Sequence, residues 1–218
     1  MSNALTAFMS DANLPALSDE ALADAIEEAQ GGAAYDGVTY VDFSGKIGDY
    51  RCGRDKDTID PGRLFLLEPM AVLKGWICWK GGRPVGRVEW QYLNNKSAVK
   101  LEDLEDHGPY DVNSDGWSES RGFGAIALDD RSQFKFSTNS ASGRNSVEDV
   151  MTSIKERAKA KEASLPIIKF SKETFVARGN RNWKPVFPAQ AWVSRAAANA
   201  FLEGKMSEND LLNGIQPS

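Results

Sequence analysis

The sequence predicts an α+β fold that consists mainly of antiparallel β-strands with one long helix. Segments rich in β-branched and aromatic residues, separated by turns containing Gly, Asp and Pro, occupy much of residues 35–137 and indicate strands. A long amphipathic stretch begins near residue 146, and further strand-like segments follow it. With 218 residues, 41% of them hydrophobic, the chain can form one large domain or two small ones.

The strands of the first half are separated by clear turn signals. Asp60-Pro61-Gly62 is a turn, and the Lys-Gly-Gly-Arg-Pro segment at 80–84 predicts a β-hairpin with aromatic residues on both arms. The polar segment 94–121 is expected to be a long loop, and Asp129-Asp130-Arg131 predicts a second hairpin turn. The expected strands are 38–43, 63–67, 72–79, 85–93, 123–128 and 133–137.

The long helix is predicted to begin at Ser146, because Asp149 three residues later resembles a capping box and an apolar stripe follows. Leu165-Pro166 should end this helix. A short terminal helix is expected at 196–202, stopped by Gly204. Between the two helices, two strand regions are predicted, 167–170 with 174–176 and then 185–193, and a loop at 178–184 separates them.

This order of elements matches the outline of an OB-like barrel, in which a helix lies between two groups of strands. Here the long helix precedes the last strand pair, short helices lie near the termini, and the additional strands would decorate the barrel. We expect three parts: an acidic N-terminal arm with a short helix at 1–34, a single β-rich domain at 35–197, and a C-terminal helix and tail at 198–218.

Charge is distributed unevenly along the chain. The formal net charge of −5 at first argues against a nucleic-acid ligand. However, residues 1–34 contain six acids and no Lys or Arg, whereas residues 131–197 contain 13 basic and 5 acidic residues. This asymmetry fits either a polyanionic partner for the basic block or a solvated basic helix.

The few cysteine and histidine residues exclude several classes of protein. Cys52, Cys78 and His107 are too few for a disulfide scaffold or a standard zinc cluster. The apolar runs are too short for a transmembrane helix, and the N-terminus lacks the features of a secretory signal. We therefore expect a protein of the reducing cytoplasm.

No motif makes a positive case for catalysis or for a cofactor. His107 lies in an acidic segment without a nucleophile motif, and a solvated loop histidine is the expected reading. Asp111, Asn113 and Asp115 match the first half of a calcium loop, but the twelfth position is Gly122 rather than Glu, which favours an Asx-rich turn. The loose dinucleotide pattern at 122–127 is followed by strand-like residues instead of a helix. We expect neither an enzyme nor a cofactor nor a metal.

Basic residues interleaved with aromatic residues are the stronger functional signal. Single-stranded nucleic acid is bound by rings that stack on bases together with cations that contact phosphates. Phe134-Lys135-Phe136 places two rings on one side of a strand and the ammonium on the other, so the rings could equally be core residues. The predicted nucleic-acid-binding residues are Trp79, Lys80, Arg83, Arg87, Phe134, Lys135, Phe136, Lys172, Arg178, Arg181, Trp183 and Lys184.

Five segments and the long helix together form a recognisable arrangement; the segments are 75–79, 134–140, 165–168, 183–187 and 192–195. This arrangement resembles single-stranded-DNA-binding proteins of OB-like type from the replication regions of tailed phages. The resemblance covers roughly residues 63–195. Many proteins of that type end in a strongly acidic tail that recruits partners, whereas here the acidic segment is at the front.

The resemblance implies a sequence-tolerant single-stranded-DNA-binding protein that acts in phage DNA replication or recombination in the host cytoplasm. Its partners would be single-stranded DNA and replication or recombination proteins that contact the acidic arm, with no membrane partner; a homodimer is left open. The alternatives are a phage virion structural or assembly protein and, with less support, a metal-dependent nuclease that uses carboxylates of residues 102–130.

Overall fold

The computed structural model describes residues 38–53, 55–91, 98–177 and 179–214. The predicted acidic arm at 1–34 and Arg178 lie outside these residues. The strands are β1 (Val38–Ser44), β2 (Asp49–Cys52), β3 (Asp57–Thr58), β4 (Leu64–Lys80), β5 (Arg83–Gln91), β6 (Gly116–Ala127), β7 (Gln133–Thr138), β8 (Leu165–Lys169), β9 (Ser171–Ala177), β10 (Asn180–Val186) and β11 (Ala189–Val193). The helices are α1 (Ala141–Lys159), α2 (Arg195–Leu202) and α3 (Glu208–Leu212), with one turn of 3₁₀ helix at Leu101–Asp103.

The predicted α+β class with mainly antiparallel strands is confirmed. Within the described residues, one sheet has the strand order β11-β8-β4-β6-β7-β1-β2-β3, and β5 pairs with the second half of β4. The pair β1–β7 is parallel and the other pairs are antiparallel. This sheet curls into a half-barrel, while β9 and β10 form a separate two-stranded sheet.

The long strand β4 connects the parts of the sheet. The sequence predicts two strands here, 63–67 and 72–79, but the structure has one strand of 17 residues that runs through Pro69. A register shift between Leu67 and Val72 takes up the proline as a β-bulge. The residues before the bulge pair with β8, and those after it pair with β5.

The core is a cluster of aromatic rings between the curled sheet and α1. Val147 and Ile154 of α1 are buried against it, and each fully buried Phe stabilises the fold by about 1.5–3 kcal/mol. The rings pack in tilted, edge-to-face and stacked pairs, with centroids 4.6–6.3 Å apart. The ring residues are Phe65, Phe123, Phe134, Phe136, Phe170, Phe187 and Tyr50.

Tyr50 links this core to the β9–β10 hairpin. Its hydroxyl donates to the Ser171 carbonyl at 2.5 Å and accepts from the Val186 N–H at 3.2 Å, so it holds the residue pair at the open end of the hairpin, where β9 begins and β10 ends. Burial raises the pKa of the Tyr50 hydroxyl, partly offset by its backbone hydrogen bond to Val186, and the group therefore remains a donor across the physiological range.

The predicted start of the long helix at Ser146 is wrong. Ser140 is the N-cap, and its hydroxyl accepts from the Gly143 N–H at 3.1 Å. Ser146 lies inside α1, where its buried hydroxyl donates to the Pro185 carbonyl at 2.6 Å. The helix ends at Lys159, before Leu165 begins the next strand.

The strands between α1 and α2 are also divided differently from the prediction. Residues 167–169 belong to β8 and residues 174–176 to β9, and β9 pairs with β10 over a turn that contains Gly179. The prediction of a loop over 180–184 is wrong, because these residues lie in β10. Likewise β6 begins at Gly116, inside the segment predicted as a loop. The hairpins at 80–84 and 129–131 and the helix near 196–202 are confirmed.

No helix of the described residues is both long and apolar enough to span a membrane.

Candidate nucleic-acid interface

The β9–β10 hairpin presents one side with aromatic, cationic and apolar residues together. The register pairs Thr174 with Trp183 and Val176 with Arg181. Residues paired across antiparallel strands point to the same side of the sheet. We call this side the hairpin face; it consists of Lys172, Thr174, Val176, Arg181, Trp183 and Pro185.

Trp183 is wedged against the turn between β1 and β2 rather than standing free in a loop. Its backbone N–H donates to the Gly45 carbonyl at 2.9 Å, and its side chain is half-buried. A Cβ at Gly48 would lie 2.6 Å from Cγ of Trp183, which is closer than packed atoms allow, and Gly48 has φ of +76°. Gly48 therefore lets the indole pack directly on the backbone, and the Trp183 residue remains partly exposed.

Two cations flank the Trp183 ring. The Lys172 Nζ lies 4.8 Å and the Arg181 Cζ 5.6 Å from the ring centroid, which is within cation–π range. Lys172 also lies 3.4 Å from an Asp49 carboxylate oxygen. Within the described part of the chain, no carboxylate lies within ion-pair distance of Arg181, which is exposed and therefore available to a phosphate.

A small apolar cleft opens beside the hairpin face. It has a volume of about 250 Å³, and its walls include Ile59, Pro61 and Phe170. Gly48 and Lys172 line the cleft and also approach the Trp183 ring, so the cleft and the ring are adjacent. A planar apolar ring bound there would have the Lys172 ammonium at its edge.

Lys184 is not part of the hairpin face. It pairs in register with Glu173 on the opposite side of the hairpin, and its Nζ lies 2.9 Å from a Glu173 carboxylate oxygen. The sequence groups Lys184 with Trp183 because they are neighbours, but successive strand residues point to opposite sides.

The predicted contacts at the β4–β5 hairpin are differently arranged. The Lys80 Nζ donates to the His107 carbonyl at 2.9 Å, and Arg87 lies 3.5 Å from Glu89. Trp79 is half-buried, and its indole N–H has no hydrogen-bond partner among the described residues. Arg83 is exposed at the turn, and no carboxylate of the described residues lies within ion-pair distance of it.

Phe134 and Phe136 belong to the core, so their rings are not available for stacking on a base. Both are buried, and Phe136 packs against Phe123 and Phe187. Lys135 points to the other side of β7, as the alternation predicts, and its Nζ lies 2.5 Å from a Glu89 carboxylate oxygen. We therefore remove the two rings from the candidate interface.

The residues considered for catalysis or metal binding have structural neighbours. The His107 ring lies 5.5 Å from that of Trp117, and the Asp115 carboxylate accepts from the Gly81 N–H at 3.0 Å. Residues 113–114 form a turn. In the described ranges, no group of three or more His, Cys, Asp or Glu side chains is arranged to hold a metal ion.

Sequence reasoning missed the β1–β2 turn as part of the interface. Gly45 and Gly48 are recognisable as turn residues, and nothing local indicates that Trp183 packs on them. Trp183 itself favours a strand, and this is the available signal, because a strand with one buried side would place the ring against a neighbouring element.

No protein-family model, curated protein or solved structure matches this chain. The candidate interface is thus defined by geometry: a half-buried indole with two adjacent cations on an exposed hairpin, next to an apolar cleft.

Proposed function

We propose that this protein binds single-stranded DNA without strong sequence preference and acts in phage DNA replication or recombination without catalysing a reaction. The observation that carries the proposal is the position of Lys172 and Arg181 on either side of Trp183 in register, on one exposed face of the hairpin. Stacking on an indole and attraction to phosphate do not depend on the identity of the base, and together they favour sequence-tolerant binding.

In this proposal each part of the hairpin face has a separate task. The accessible part of the Trp183 ring stacks on one base, and the adjacent cleft receives a neighbouring base. Arg181 and Lys172 contact the flanking phosphates, with Arg181 making the stronger contact because it has no competing carboxylate. The exposed Arg83 adds further positive charge, and Arg178, which lies outside the described residues, stays a candidate from the sequence.

We further propose that the curled sheet is an OB-like barrel and that the protein works in the cytoplasm of the host cell. The largely antiparallel pairing and the curl support the first point. The composition of residues 1–34, with six acids and no Lys or Arg, supports contact between this arm and the basic surfaces of replication or recombination proteins.

The proposal is tested by the fluorescence anisotropy of labelled (dT)20 titrated with protein at several salt concentrations. Arg181→Ala and Lys172→Ala should each weaken binding and reduce the slope of log K against log salt by about 0.7, the value for one phosphate contact on a single strand. The matched control is Lys184→Ala, which removes the same charge from the opposite side of the hairpin and should change the slope much less.

Trp183→Phe tests stacking while keeping a ring against Gly48. Wild-type tryptophan fluorescence should fall on addition of (dT)20, and this quenching should be smaller in Trp183→Phe. The proposal fails if the wild type does not bind at low salt, or if Lys184→Ala weakens binding as much as Arg181→Ala does.

An assembly role is the second candidate, and one observation favours it. Val176 is 75% exposed on the hairpin face, and an apolar side chain at this position suits a protein interface. If the hairpin face joins subunits, light scattering after size exclusion should show an oligomer that Val176→Ser dissociates. A monomer that binds (dT)20 would exclude this role for the hairpin face.

A further inference from the structure

Residues 98–115, which we call the acidic strap, cross one side of the sheet where β4, β5 and β6 lie together. In β4, Trp76 and Cys78 point to this side, and the register pairs Cys78 with Trp117 of β6. The Trp76 indole N–H donates to the Val99 carbonyl at 2.8 Å, and the Trp117 indole N–H donates to the Glu105 carbonyl at 2.8 Å. We call the covered side the tryptophan face; the register places on it Lys74, Trp76, Cys78, Gly86, Val88, Trp90, Trp117, Glu119 and Arg121.

Four hydrogen bonds between the sheet side and the strap run in one direction, and a fifth contact, between the Cys78 Sγ and the Tyr110 hydroxyl at 3.7 Å, allows either group to donate. Besides the two indoles, the Lys80 ammonium donates to the His107 carbonyl at 2.9 Å and the Gly81 N–H to the Asp115 carboxylate at 3.0 Å. In each of these four bonds the sheet is the donor and the strap is the acceptor. A nucleic-acid strand likewise offers acceptor oxygens and negative charge.

The charge of the strap strengthens this similarity. Its 18 residues contain one lysine, Lys100, and six carboxylates. The strap thus places a negatively charged, acceptor-rich chain over tryptophans and beside cations, which is what a bound single strand would do. The carboxylates are Glu102, Asp103, Glu105, Asp106, Asp111 and Asp115.

The strap is lightly held. None of residues 98–115 is buried, and its apolar side chains Leu101, Val112 and Tyr110 are exposed. One site of close packing is at His107, whose ring lies against Gly86. A Cβ added to Gly86 would lie 2.8 Å from the Nε2 of His107. A segment with few buried apolar contacts opens at low free energy, so a ligand can displace it without unfolding the sheet.

We propose that the tryptophan face is a second binding surface for single-stranded nucleic acid and that the acidic strap occupies it as an internal competitor. This inference rests on the proposed function, because it takes the ligand to be the same polymer. A strand that binds there replaces the strap's carbonyl and carboxylate acceptors with its own and gains indole faces for stacking. The strap thereby weakens binding until enough strand is available to displace it.

The test uses a full-length variant with four strap acids neutralised: Glu102→Gln, Asp103→Asn, Glu105→Gln and Asp111→Asn. Asp106 and Asp115 are kept because they bond backbone N–H groups. The control changes net charge equally at exposed acids elsewhere. It carries Asp55→Asn, Asp57→Asn, Glu156→Gln and Glu203→Gln.

The strap variant should bind labelled (dT)20 roughly tenfold more tightly than the control, the size expected when a base gains a stacking partner. Adding Trp117→Phe to the strap variant should remove most of that gain. Equal affinities of the strap variant and the control would overturn the inference, because then only overall charge matters.

Hydrogen–deuterium exchange on the wild type provides a measurement that needs no variant to fold. Addition of (dT)20 should speed exchange within residues 98–115 if the strap is displaced; unchanged or slower exchange there would overturn the inference. The two proposals fail separately. Loss of binding in Arg181→Ala without any effect of the strap variant supports the hairpin face alone, and the reverse result supports the tryptophan face alone.

Discussion

The β4–β5 and β9–β10 hairpins have similar compositions but use their charges differently. Both combine tryptophan with Lys and Arg near a glycine-containing turn. In the first hairpin, Lys80 is bound to a carbonyl of the acidic strap and Arg87 is close to Glu89. In the second, Arg181 has the Trp183 ring and no carboxylate beside it.

The difference lies in what the rest of the chain places next to each hairpin. A segment with six carboxylates crosses the sheet beside the first hairpin, whereas the β1–β2 turn beside the second hairpin brings two glycines, a lysine and an isoleucine. A cation next to an aromatic residue in sequence is therefore available to a ligand only where no distant acceptor reaches it. This comparison leads to three predictions, on glycine, on glutamate and on pH.

The largest effect is expected at Gly48, which supports the second hairpin. Gly48→Ala puts a side chain at φ +76°, which destabilises by about 1–2 kcal/mol, and forces it against the Trp183 ring, which adds about 1–3 kcal/mol. Gly179→Ala is the matched control, since Gly179 has φ +77° and no described atom within 4 Å of a Cβ.

Urea denaturation of both variants separates the two contributions. Gly179→Ala should show the backbone contribution alone, and Gly48→Ala should lose more stability and also weaken (dT)20 binding by displacing Trp183. Equal losses of stability in the two variants would mean that Trp183 is not held by Gly48.

A smaller effect is expected from the glutamates of the two hairpins. Glu89 of β5 has a side chain only 11% exposed, and it accepts from Lys135 at 2.5 Å and from Ser137 at 3.2 Å. Glu89→Gln should cost about 2 kcal/mol, less than for a fully buried pair, because it leaves the Lys135 ammonium without its counter-charge.

The matching change in the second hairpin is Glu173→Gln. Glu173 is 61% exposed and pairs with Lys184, so its loss should change stability by no more than about 0.5 kcal/mol. Chemical denaturation measures both values. If the two variants were equally stable, the carboxylate of the first hairpin would not hold the sheet together.

Local sequence patterns predicted the elements whose partners are near in sequence. The hairpins around 80–84 and 129–131 follow from their turn residues, and the alternation in Phe134-Lys135-Phe136 gives the correct side for each residue. The α+β class follows from the same patterns, because strand and helix periods are local properties.

The errors arose where a distant contact decides the structure. Ser146 resembles a helix cap in sequence, but its hydroxyl is satisfied by the Pro185 carbonyl in the folded protein. Residues 180–184 resemble a loop because Asn and Arg dominate, yet pairing with β9 makes them strand. Trp183 was identified as an interface residue from composition, while its contact with Gly48 depends on chain segments 135 positions apart.

The smallest effect concerns the acidic strap, and it depends on pH. Hydrogen bonds to the Asp106 carboxylate from the Gly108 N–H and from Tyr110 lower the pKa of Asp106, and nearby positive charge on Lys80 acts in the same direction. The folded pKa is thus below the value of about 3.9 for an unperturbed aspartate. The support that this carboxylate gives to the strap is complete above that value and is lost as the pH falls through the folded pKa.

An NMR titration measures this directly. The Asp106 carboxyl carbon should titrate with a midpoint below about 3.9, and the Gly108 amide shift should follow the same curve, because the two groups share a hydrogen bond. Asp106→Asn should abolish this step in the Gly108 amide, whereas Asp111→Asn should leave it in place.

Because Asp106 is exposed, the melting temperature should not change measurably. A midpoint at or above the unperturbed value would show that the turn at 106–108 does not hold the strap. The position of the strap next to Lys80 would then depend only on the hydrogen bonds that the sheet donates to it, such as the bond from Lys80 to the His107 carbonyl.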